Sequence, residues 1–381
     1  MVFALSLVAL LAGIAFLHPY ISYPLSLRLM RARPVRRVAA GDSIAPRPSA
    51  TLLFSAYNEE RALKPKLANL EAIKAFHPDL EILAYSDMST DGTLALLESR
   101  PDLLRVIPTR ERTGKAMGMR RMVAEAKGEI CIFTDANVML EPESVGTLLD
   151  YFRDSEIGGV SGTLHYVNDA DGTTASVGGL YWRLEEKIKA LESRCGSIMG
   201  ADGAIFATRR ALYPEVPPHL LDDMIVSMSV LFHGKRLISA DDVIAYERNT
   251  TDPKDEFRRK RRIACRSYAS WRHLAPQIKQ HFSLADRYKF FSHKLLRWFG
   301  APLAILSGST LSLALWLDGQ TVLLGALWGS ATLVALGAAA GLKPCAVLMG
   351  IVAAIGAAFL GVIDALRGKT YQTWSPAKSR D

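Results

Sequence analysis

The stretch Ile132-Phe133-Thr134-Asp135-Ala136-Asn137 ends a short apolar run with an acidic side chain. The apolar residues from Ile130 to Phe133 have the length and composition of a buried strand. A carboxylate at the end of such a strand is stable only where it holds a cation or a hydrogen-bonded partner. The stretch therefore predicts a binding site at the edge of a sheet.

Short apolar runs alternate with amphipathic runs around this stretch. Strands are predicted at Thr51–Ser55, Glu81–Ser86, Leu104–Ile107 and Ile130–Thr134. Helices are predicted at Glu60–Phe76, Thr93–Ser99, Lys115–Ala126 and Pro142–Phe152. This alternation predicts an α/β fold with a doubly wound, mostly parallel sheet and helices on both faces. Ligands bind such sheets beyond the carboxyl ends of the strands, so the residues that follow the strands are candidates for chemistry.

Five elements in a fixed order carry a resemblance to a known family. They are Tyr57–Glu60, Ser86–Thr93, Ile132–Asn137, Gly200–Arg210 and Leu221–Asp223. Together they resemble glycosyltransferase family 2, which has the GT-A fold, in the branch of membrane-bound cellulose-, hyaluronan- and poly-N-acetylglucosamine-synthase-like enzymes. The resemblance implies a nucleotide-sugar donor, a divalent metal ion (Mg²⁺ or Mn²⁺) and a single inverting displacement at the sugar.

The resemblance also implies a role for individual residues. The expected donor-binding residues are Tyr57, Asn58, Glu59, Asp87, Lys115 and Asp135. The expected metal-side residues are Asp135 and Asn137, where Asn137 replaces the usual second carboxylate and supplies no charge. The expected general base is Asp223, with Asp222 beside it.

Two further segments complete the predicted site. Gly200 and Asp202 are expected at the acceptor, because glycine lets backbone approach a sugar closely. The basic run that contains Arg258, Arg259 and Arg262 follows the Asp-Asp pair and is the predicted diphosphate clamp. It lacks the tryptophan that processive members of the family carry after this arginine motif.

Several of these residues also have a purely structural interpretation. Asp87 could cap the turn at 89–92, and Lys115 could be an exposed lysine at a helix start. Asp222 and Asp223 suit any helix N-terminus because of the helix dipole. The run 258–262 could form a collar on anionic lipid.

The charge of this 381-residue chain, +8 overall, is concentrated between residues 28 and 297, and both ends are apolar. The predicted organisation is therefore an N-terminal transmembrane anchor (1–27), a basic juxtamembrane linker (28–49), a cytoplasmic GT-A domain (50–275), an interfacial amphipathic helix (276–297), a C-terminal transmembrane region (298–366) and a basic tail (367–381).

The N-terminal segment Val2–Leu27 contains no Asp, Glu, Lys or Arg and is long enough to cross a bilayer. A cleaved signal peptide is the alternative, but no basic region precedes the apolar run. Arginines follow it, which places the next domain in the cytoplasm, at the inner membrane of a bacterium. The basic tail also favours the inside, so we expect one C-terminal stretch, Trp298–Leu317, not to cross fully.

These patterns predict a membrane-bound inverting glycosyltransferase that moves a sugar from a UDP-sugar to a polysaccharide or glycan acceptor. Single-sugar transfer to a lipid, as in ceramide-glucosyltransferase-like enzymes, is the alternative. A membrane transporter with a cytoplasmic regulatory domain is disfavoured, because the apolar stretches hold almost no charge to line a path. Nucleic acid is not an expected partner, since the basic residues cluster beside apolar segments and suit membrane lipids.

Overall fold

A computed structural model describes residues 1–35, 37, 46–168 and 172–373 of the chain. Parts of the predicted linker (36 and 38–45) and of the predicted tail (374–381) lie outside the described residues. Strands in the described part form one sheet in the order β3-β2-β1-β4-β7-β6-β8-β5. Their bounds are β1 Ala50–Ala56, β2 Glu81–Ser86, β3 Arg105–Pro108, β4 Ile130–Asp135, β5 Met139–Leu140, β6 Ile157–Tyr166, β7 Ile205–Arg209 and β8 Arg236–Glu247.

Helices cover both faces of this sheet and extend from it at the two ends of the chain. Those that precede or flank the sheet are α1 Val2–Leu17, α2 Ser22–Leu29, α3 Glu60–Phe76, α4 Thr93–Glu98, α5 Lys115–Glu125, α6 Ser144–Tyr151, α7 Thr173–Cys195 and α8 Asp222–Phe232. Those that follow are α9 Pro253–His281, α10 Leu284–Phe290, α11 Leu296–Trp298, α12 Gly300–Leu317, α13 Thr321–Ala339 and α14 Lys343–Leu366.

The α/β class predicted from the sequence is confirmed, but the sheet is mixed. The pairs β1–β2, β1–β4, β2–β3 and β6–β8 are parallel. The pairs β4–β7, β6–β7 and β5–β8 are antiparallel. Up to residue 135, most predicted strands and helices begin and end within one residue of the observed bounds. These elements are predicted well because each contains a buried apolar run that ends at a clear turn. The helix expected from Pro142 begins instead at Ser144.

The parallel half of the sheet aligns the ends of the strands that matter for the site. Ser55 of β1 lies opposite Asp135 of β4, and Ala56 lies opposite Ser86 of β2. All seven residues of β1 are buried, which is typical of a central parallel strand covered on both faces. The residues that follow β1, β2 and β4 therefore meet at one edge.

The N-terminal apolar run is not one helix, as the sequence suggested, but two. Helix α1 ends at Leu17, close to Pro19, which has no backbone N–H for a further helical hydrogen bond, and α2 continues at an angle of 65°. Helix α1 packs antiparallel to α12, where Ser307 Oγ donates to the carbonyl of Ala9 at 2.8 Å. Helix α2 packs on α7 through Tyr23 and Leu27.

The C-terminal helices α12, α13 and α14 are each long and apolar enough to span a membrane. Helix α14 also packs against the α/β domain: Arg261 of α9 makes two bonds to Asp364, at 2.6 and 2.7 Å. Beyond α14, Gln372 Nε2 donates to the carbonyl of Thr113 at 3.4 Å. The last described residues thus lie against the α/β domain.

The predicted domain boundary at residue 275 falls inside α9, which continues unbroken to His281. The predicted interfacial helix at 276–297 is instead the end of α9, then α10, and then a single π turn at Phe291–Leu295. This segment does not present a polar face to solvent throughout, because Lys289 and His293 are buried.

Helix α5 approaches β2 closely because Gly118 has no side chain. A Cβ atom at this position would overlap the ring of Tyr85, which is fully buried. We expect Gly118→Ala to lower the free energy of unfolding by about 1–3 kcal/mol, as overpacking does. Denaturant or thermal unfolding of the purified protein measures this.

The control is Gly308→Ala in α12, where a Cβ atom meets nothing within 4 Å. This variant should be at least as stable as the parent, since alanine favours a helix more than glycine does. Equal stability of the two variants would contradict the packing described here.

Candidate active site

The structure brings the predicted donor residues to one edge of the sheet. Tyr57, Asn58 and Glu59 follow β1, Asp87 follows β2, and Asp135 ends β4. Asn58 joins the first two loops: its Oδ1 accepts from the amide of Thr90 at 2.8 Å. Its backbone has φ 51°, a left-handed conformation that asparagine tolerates better than most residues. The amide of Glu59 donates to Thr93 Oγ1 at 2.8 Å.

Asp87 is fully buried, and the loop 112–115 surrounds its carboxylate. Oδ1 accepts from the amide of Thr113 at 2.7 Å, and Oδ2 accepts from the amide of Gly114 at 3.0 Å. Arg112 lies 3.3 Å from Oδ2 and stacks its guanidinium on the ring of Tyr57. In this conformation Asp87 fixes the loop rather than the turn at 89–92, which Asp91 caps. Its predicted contact with a nucleoside stays a prediction.

Lys115 lies at the centre of the acidic residues. Its Nζ atom is 2.5 Å from Asp135 Oδ1. Burial alone would lower the pKa of Lys115, but the charges of Asp135, Asp222 and Asp223 raise it overall. Lys115 is therefore charged at any physiological pH and is a built-in counter-ion for the carboxylates, not an exposed lysine at a helix start.

Asp222 and Asp223 begin α8, where two anions also suit the helix dipole. Asp223 and Lys115 both lie close to Gly203. A Cβ atom on Gly203 would be 3.4 Å from Asp223 Oδ2 and 3.3 Å from Lys115 Nζ. Burial, and next the charge of Asp222, raise the pKa of Asp223 to about 7, while Lys115 opposes this. A carboxylate with a pKa near neutrality is suited to accept a proton from an acceptor group.

The acceptor-side segment borders directly on this carboxylate. Asp202 Oδ1 accepts from the amide of Ala204 at 3.1 Å, which closes the turn before β7. Gly200 has φ 138°, a conformation that favours glycine. Gly203 lies close to Lys115 and Asp223, so the predicted acceptor segment and the predicted base are neighbours, while their roles stay predictions.

The metal-side residues are arranged less simply than the sequence suggested. Asn137 donates from Nδ2 to Glu247 Oε1 at 3.0 Å, so only its Oδ1 atom could serve as a metal ligand. No group of three His, Cys, Asp or Glu residues in the described ranges could hold a metal ion. Asp135 alone supplies charge, and Mg²⁺ commonly binds with one carboxylate, substrate phosphates and water. The site therefore fits a cation that a bound diphosphate helps to hold.

The basic residues of α9 do not form one clamp. Arg258 is exposed and paired with Asp255, and Arg259 lies 3.4 Å from Glu256. Arg262 shares a helix face with Arg259 and with Arg266, at spacings of three and four residues.

Arg266 was not singled out from the sequence, yet it reaches the site. It donates to the carbonyl of Leu220 and lies 3.8 Å from Asp222. The sequence signal that could have identified Arg266 is its spacing of seven residues from Arg259. Seven residues are about two helical turns, so both side chains lie on the same face of α9.

Comparison with known proteins identifies the family of this domain. The model of the family "Glycosyl transferase family 2" matches residues 51–216, which include Asp135, Asp202 and every predicted donor residue. The chain contains a glycosyltransferase family 2 domain. The acidic pair at the start of α8 lies just beyond the matched range.

Relatives of this family 2 domain are named glycosyltransferases. An N-acetylglucosaminyltransferase of Rhizobium meliloti is 23% identical over 218 residues, 55% of this chain and 50% of that protein. A dolichol-phosphate mannosyltransferase of Mycosarcoma maydis is 29% identical over 119 residues, 29% of this chain and 40% of that protein. The aligned part spans half or less of these curated relatives.

One solved structure is similar over nearly the whole chain. The mannosyltransferase PcManGT of Pyrobaculum calidifontis, in complex with GDP-Man and Mn²⁺, has a TM-score of 0.73 at 20% identity. The match covers 96% of this chain and 99% of that chain. At this identity the likeness concerns the fold, and the GT-A prediction is confirmed.

The environment of Asn137 generates a test that needs no enzymatic activity. Asn137→Asp would place a carboxylate opposite Glu247 and close to Asp135, so we expect a lower melting temperature in the presence of EDTA. A shift of about 2–4 °C is expected for each kcal/mol of repulsion. Mn²⁺ should restore more of the melting temperature in this variant than in the parent, because position 137 then adds charge. An unchanged melting temperature with and without Mn²⁺ would show that position 137 does not face the site.

Proposed function

We propose that this chain is a membrane-bound inverting glycosyltransferase that moves a sugar from a nucleotide-sugar donor to a glycan acceptor. One observation carries the proposal: Asp135, Asp222 and Asp223 converge on Lys115 at the carboxyl edge of a family 2 domain. Three carboxylates close to one lysine provide negative charge that a divalent metal ion could neutralise.

Transfer of the sugar needs an acceptor hydroxyl that loses its proton as the donor bond breaks. Asp223 is the base: its raised pKa keeps the carboxylate basic, and Gly203 brings the backbone of the acceptor-side segment close to it. A single displacement places the acceptor on the side of the donor sugar opposite the leaving diphosphate. Asp223 would then face the acceptor, and Lys115 and Asp135 would face the diphosphate.

The leaving diphosphate carries the developing charge. A charge opposed at about 4 Å contributes about 4 kcal/mol at an effective dielectric constant near 20. Asp135 would hold a divalent metal ion that neutralises this charge. Asp135 would then give up its ion pair with Lys115 and bind the metal ion instead. Lys115 would then be able to contact the phosphate oxygens, and Arg266 of α9 lies 3.8 Å from Asp222.

The donor is proposed to be a UDP-sugar. The structurally similar mannosyltransferase binds GDP-Man, and the Rhizobium relative is named for N-acetylglucosamine, so the base and the sugar are both open to a direct screen. Transfer from labelled UDP- and GDP-sugars by detergent-purified protein tests the proposal. No transfer and no donor hydrolysis with any nucleotide-sugar would refute it.

The apolar helices support a location in the membrane. The arginines that follow the N-terminal apolar run favour a family 2 domain at the cytoplasmic face. A lipid acceptor is the second candidate. The side chain of Lys294, just before the first C-terminal apolar helix, lies about 4 Å from the position of a Cβ on Gly200, at the acceptor-side segment. An acceptor embedded in the membrane could reach Asp223 from this side.

The raised pKa of Asp223 predicts how the rate depends on pH. The base must be deprotonated, so turnover should rise as pH increases through about 7. Asp222→Asn removes the like charge that helps to raise this pKa. The midpoint should therefore shift to lower pH in that variant. Initial transfer rates between about pH 5 and pH 9 at saturating donor measure both profiles.

Asp223→Asn is the control for this profile. It should retain donor binding, lose ~10²-fold or more in turnover, and show no rise near pH 7. A shift to higher pH in Asp222→Asn, or a normal profile in Asp223→Asn, would contradict the assignment of the base.

A further inference from the structure

A group of buried charged side chains lies between α7 and the segment that leads into α12. We call it the buried cluster; it consists of Glu185, Glu192, Lys289, His293, Lys294 and Arg297. None of these residues belongs to the candidate active site. Charged side chains are rarely buried unless they are paired. The partners of these six side chains therefore show which parts of the structure the cluster holds in place.

His293 stands at the centre of the cluster and is fully buried. Its Nδ1 lies 2.8 Å from Glu192 Oε1, and its Nε2 lies 2.9 Å from Glu185 Oε1. Arg297 donates to Glu185 Oε2 at 2.5 Å. Burial alone would raise the pKa of Glu185, but His293, Lys294 and Arg297 hold it well below its usual range. Glu185 is therefore ionised within the cluster.

Two members of the cluster hold the backbone of residues 196–203, which we call the acceptor loop. Glu192 Oε2 accepts from the amide of Met199 at 2.9 Å. Lys289 Nζ donates to the carbonyl of Ser197 at 2.7 Å. This loop leads to Gly203, which lies beside Asp223 and Lys115. A hydrogen bond from a buried charged group to backbone is among the stronger contacts in a protein.

Glu192 and the segment that carries Lys289 also contact the N-terminal helices. Glu192 Oε1 accepts from the hydroxyl of Tyr23 in α2 at 2.5 Å. Lys289 precedes the π turn, a local irregularity that is frequent at functional sites. Within that turn Ser292 Oγ lies 2.9 Å from His18 Nε2, at the end of α1. Glu192 thus connects the acceptor loop to α2, and the segment that follows Lys289 contacts the end of α1.

We propose that Glu192 of α7 and Lys289 of α10 are positioning residues that fix the acceptor loop against these two helices. This rests on the proposed function, in which an acceptor hydroxyl must approach Asp223. A displacement of about 1 Å between reacting groups can lower a rate by about 10²-fold. A loop tied to the helices would hold an acceptor that arrives from the membrane side in line with the donor.

The proposal separates two reactions of one enzyme. Hydrolysis of the nucleotide-sugar by water needs the donor site and the base but not a positioned acceptor. Transfer needs all three. Loss of a merely structural contact would lower both rates together, whereas loss of acceptor positioning lowers transfer more than hydrolysis.

The test compares Glu192→Gln and Lys289→Met with a matched control for each. Tyr23→Phe removes another partner of Glu192, and Asp286→Asn removes the ion-pair partner of Lys289 at 3.0 Å. Both controls leave the two bonds to the acceptor loop in place. The measurements are transfer to the acceptor and acceptor-independent hydrolysis, with labelled nucleotide-sugar and detergent-purified full-length protein.

We expect Glu192→Gln and Lys289→Met to lower the ratio of transfer to hydrolysis by about 10- to 100-fold, and the controls to change it by less than about twofold. Equal losses in transfer and hydrolysis, or equal effects in variants and controls, would overturn the proposal.

A second measurement does not depend on activity. Hydrogen–deuterium exchange of a peptide that contains Met199 should be faster in Glu192→Gln than in the parent and in Tyr23→Phe, since this amide loses a charged acceptor. Unchanged exchange at Met199 would overturn the positioning role even if transfer is observed. If the parent transfers no sugar, the proposed function fails, while this exchange experiment still decides whether Glu192 holds the loop.

Discussion

The ion pair between Lys115 and Asp135 is the interaction on which the rest of the site depends. Two carboxylates at the start of α8 and one at the end of β4 would repel one another strongly if no cation lay between them. Lys115, at the start of α5, supplies that cation at 2.5 Å from Asp135. Its position depends in turn on Asp87, which binds the amides of Thr113 and Gly114 and so fixes the start of the helix.

The parallel and antiparallel parts of the sheet position different parts of the site. The parallel half, through β1, β2 and β4, brings the donor residues and Lys115 to one edge. The antiparallel insertion of β7 brings the acceptor loop and Gly203 against the same lysine. Helix α9 then crosses behind α8, with Arg266 close to Asp222. Each part supplies one requirement of sugar transfer: a place for the diphosphate, a base, and an approach for the acceptor.

The sequence predicted the local features well, because they depend on local patterns. Strand β4 with its terminal Asp135 and the helix from Lys115 were identified from apolar and amphipathic runs and the polar residues that end them. The pair Asp222-Asp223 was identified from the resemblance to the family. The roles expected of Tyr57, Asn58, Glu59 and Gly200 stay predictions, although the structure places these residues at the expected edge and loop.

Long-range partners could not be predicted in this way. The direction of the Asn137 amide depends on Glu247, 110 residues away, and the bond of Arg261 depends on Asp364, 103 residues away. The buried face of the segment around His293 was missed for the same reason. Its alternation of apolar and basic residues resembles an interfacial helix, and only the carboxylates of α7 make burial of the basic face possible. A pattern shows which residues share a face, but not which surface that face meets.

The most direct measurement of the central claim is an experimental structure of the full-length protein with UDP and Mn²⁺. The account predicts that Lys115 Nζ leaves Asp135 and contacts the diphosphate, with Asp135 turned toward the metal ion and Asp223 unmoved beside Gly203. A nucleotide bound elsewhere, for example in the groove between α8 and α9 that Phe232 and His273 line, would contradict it. So would a diphosphate at this edge with the Lys115–Asp135 pair intact.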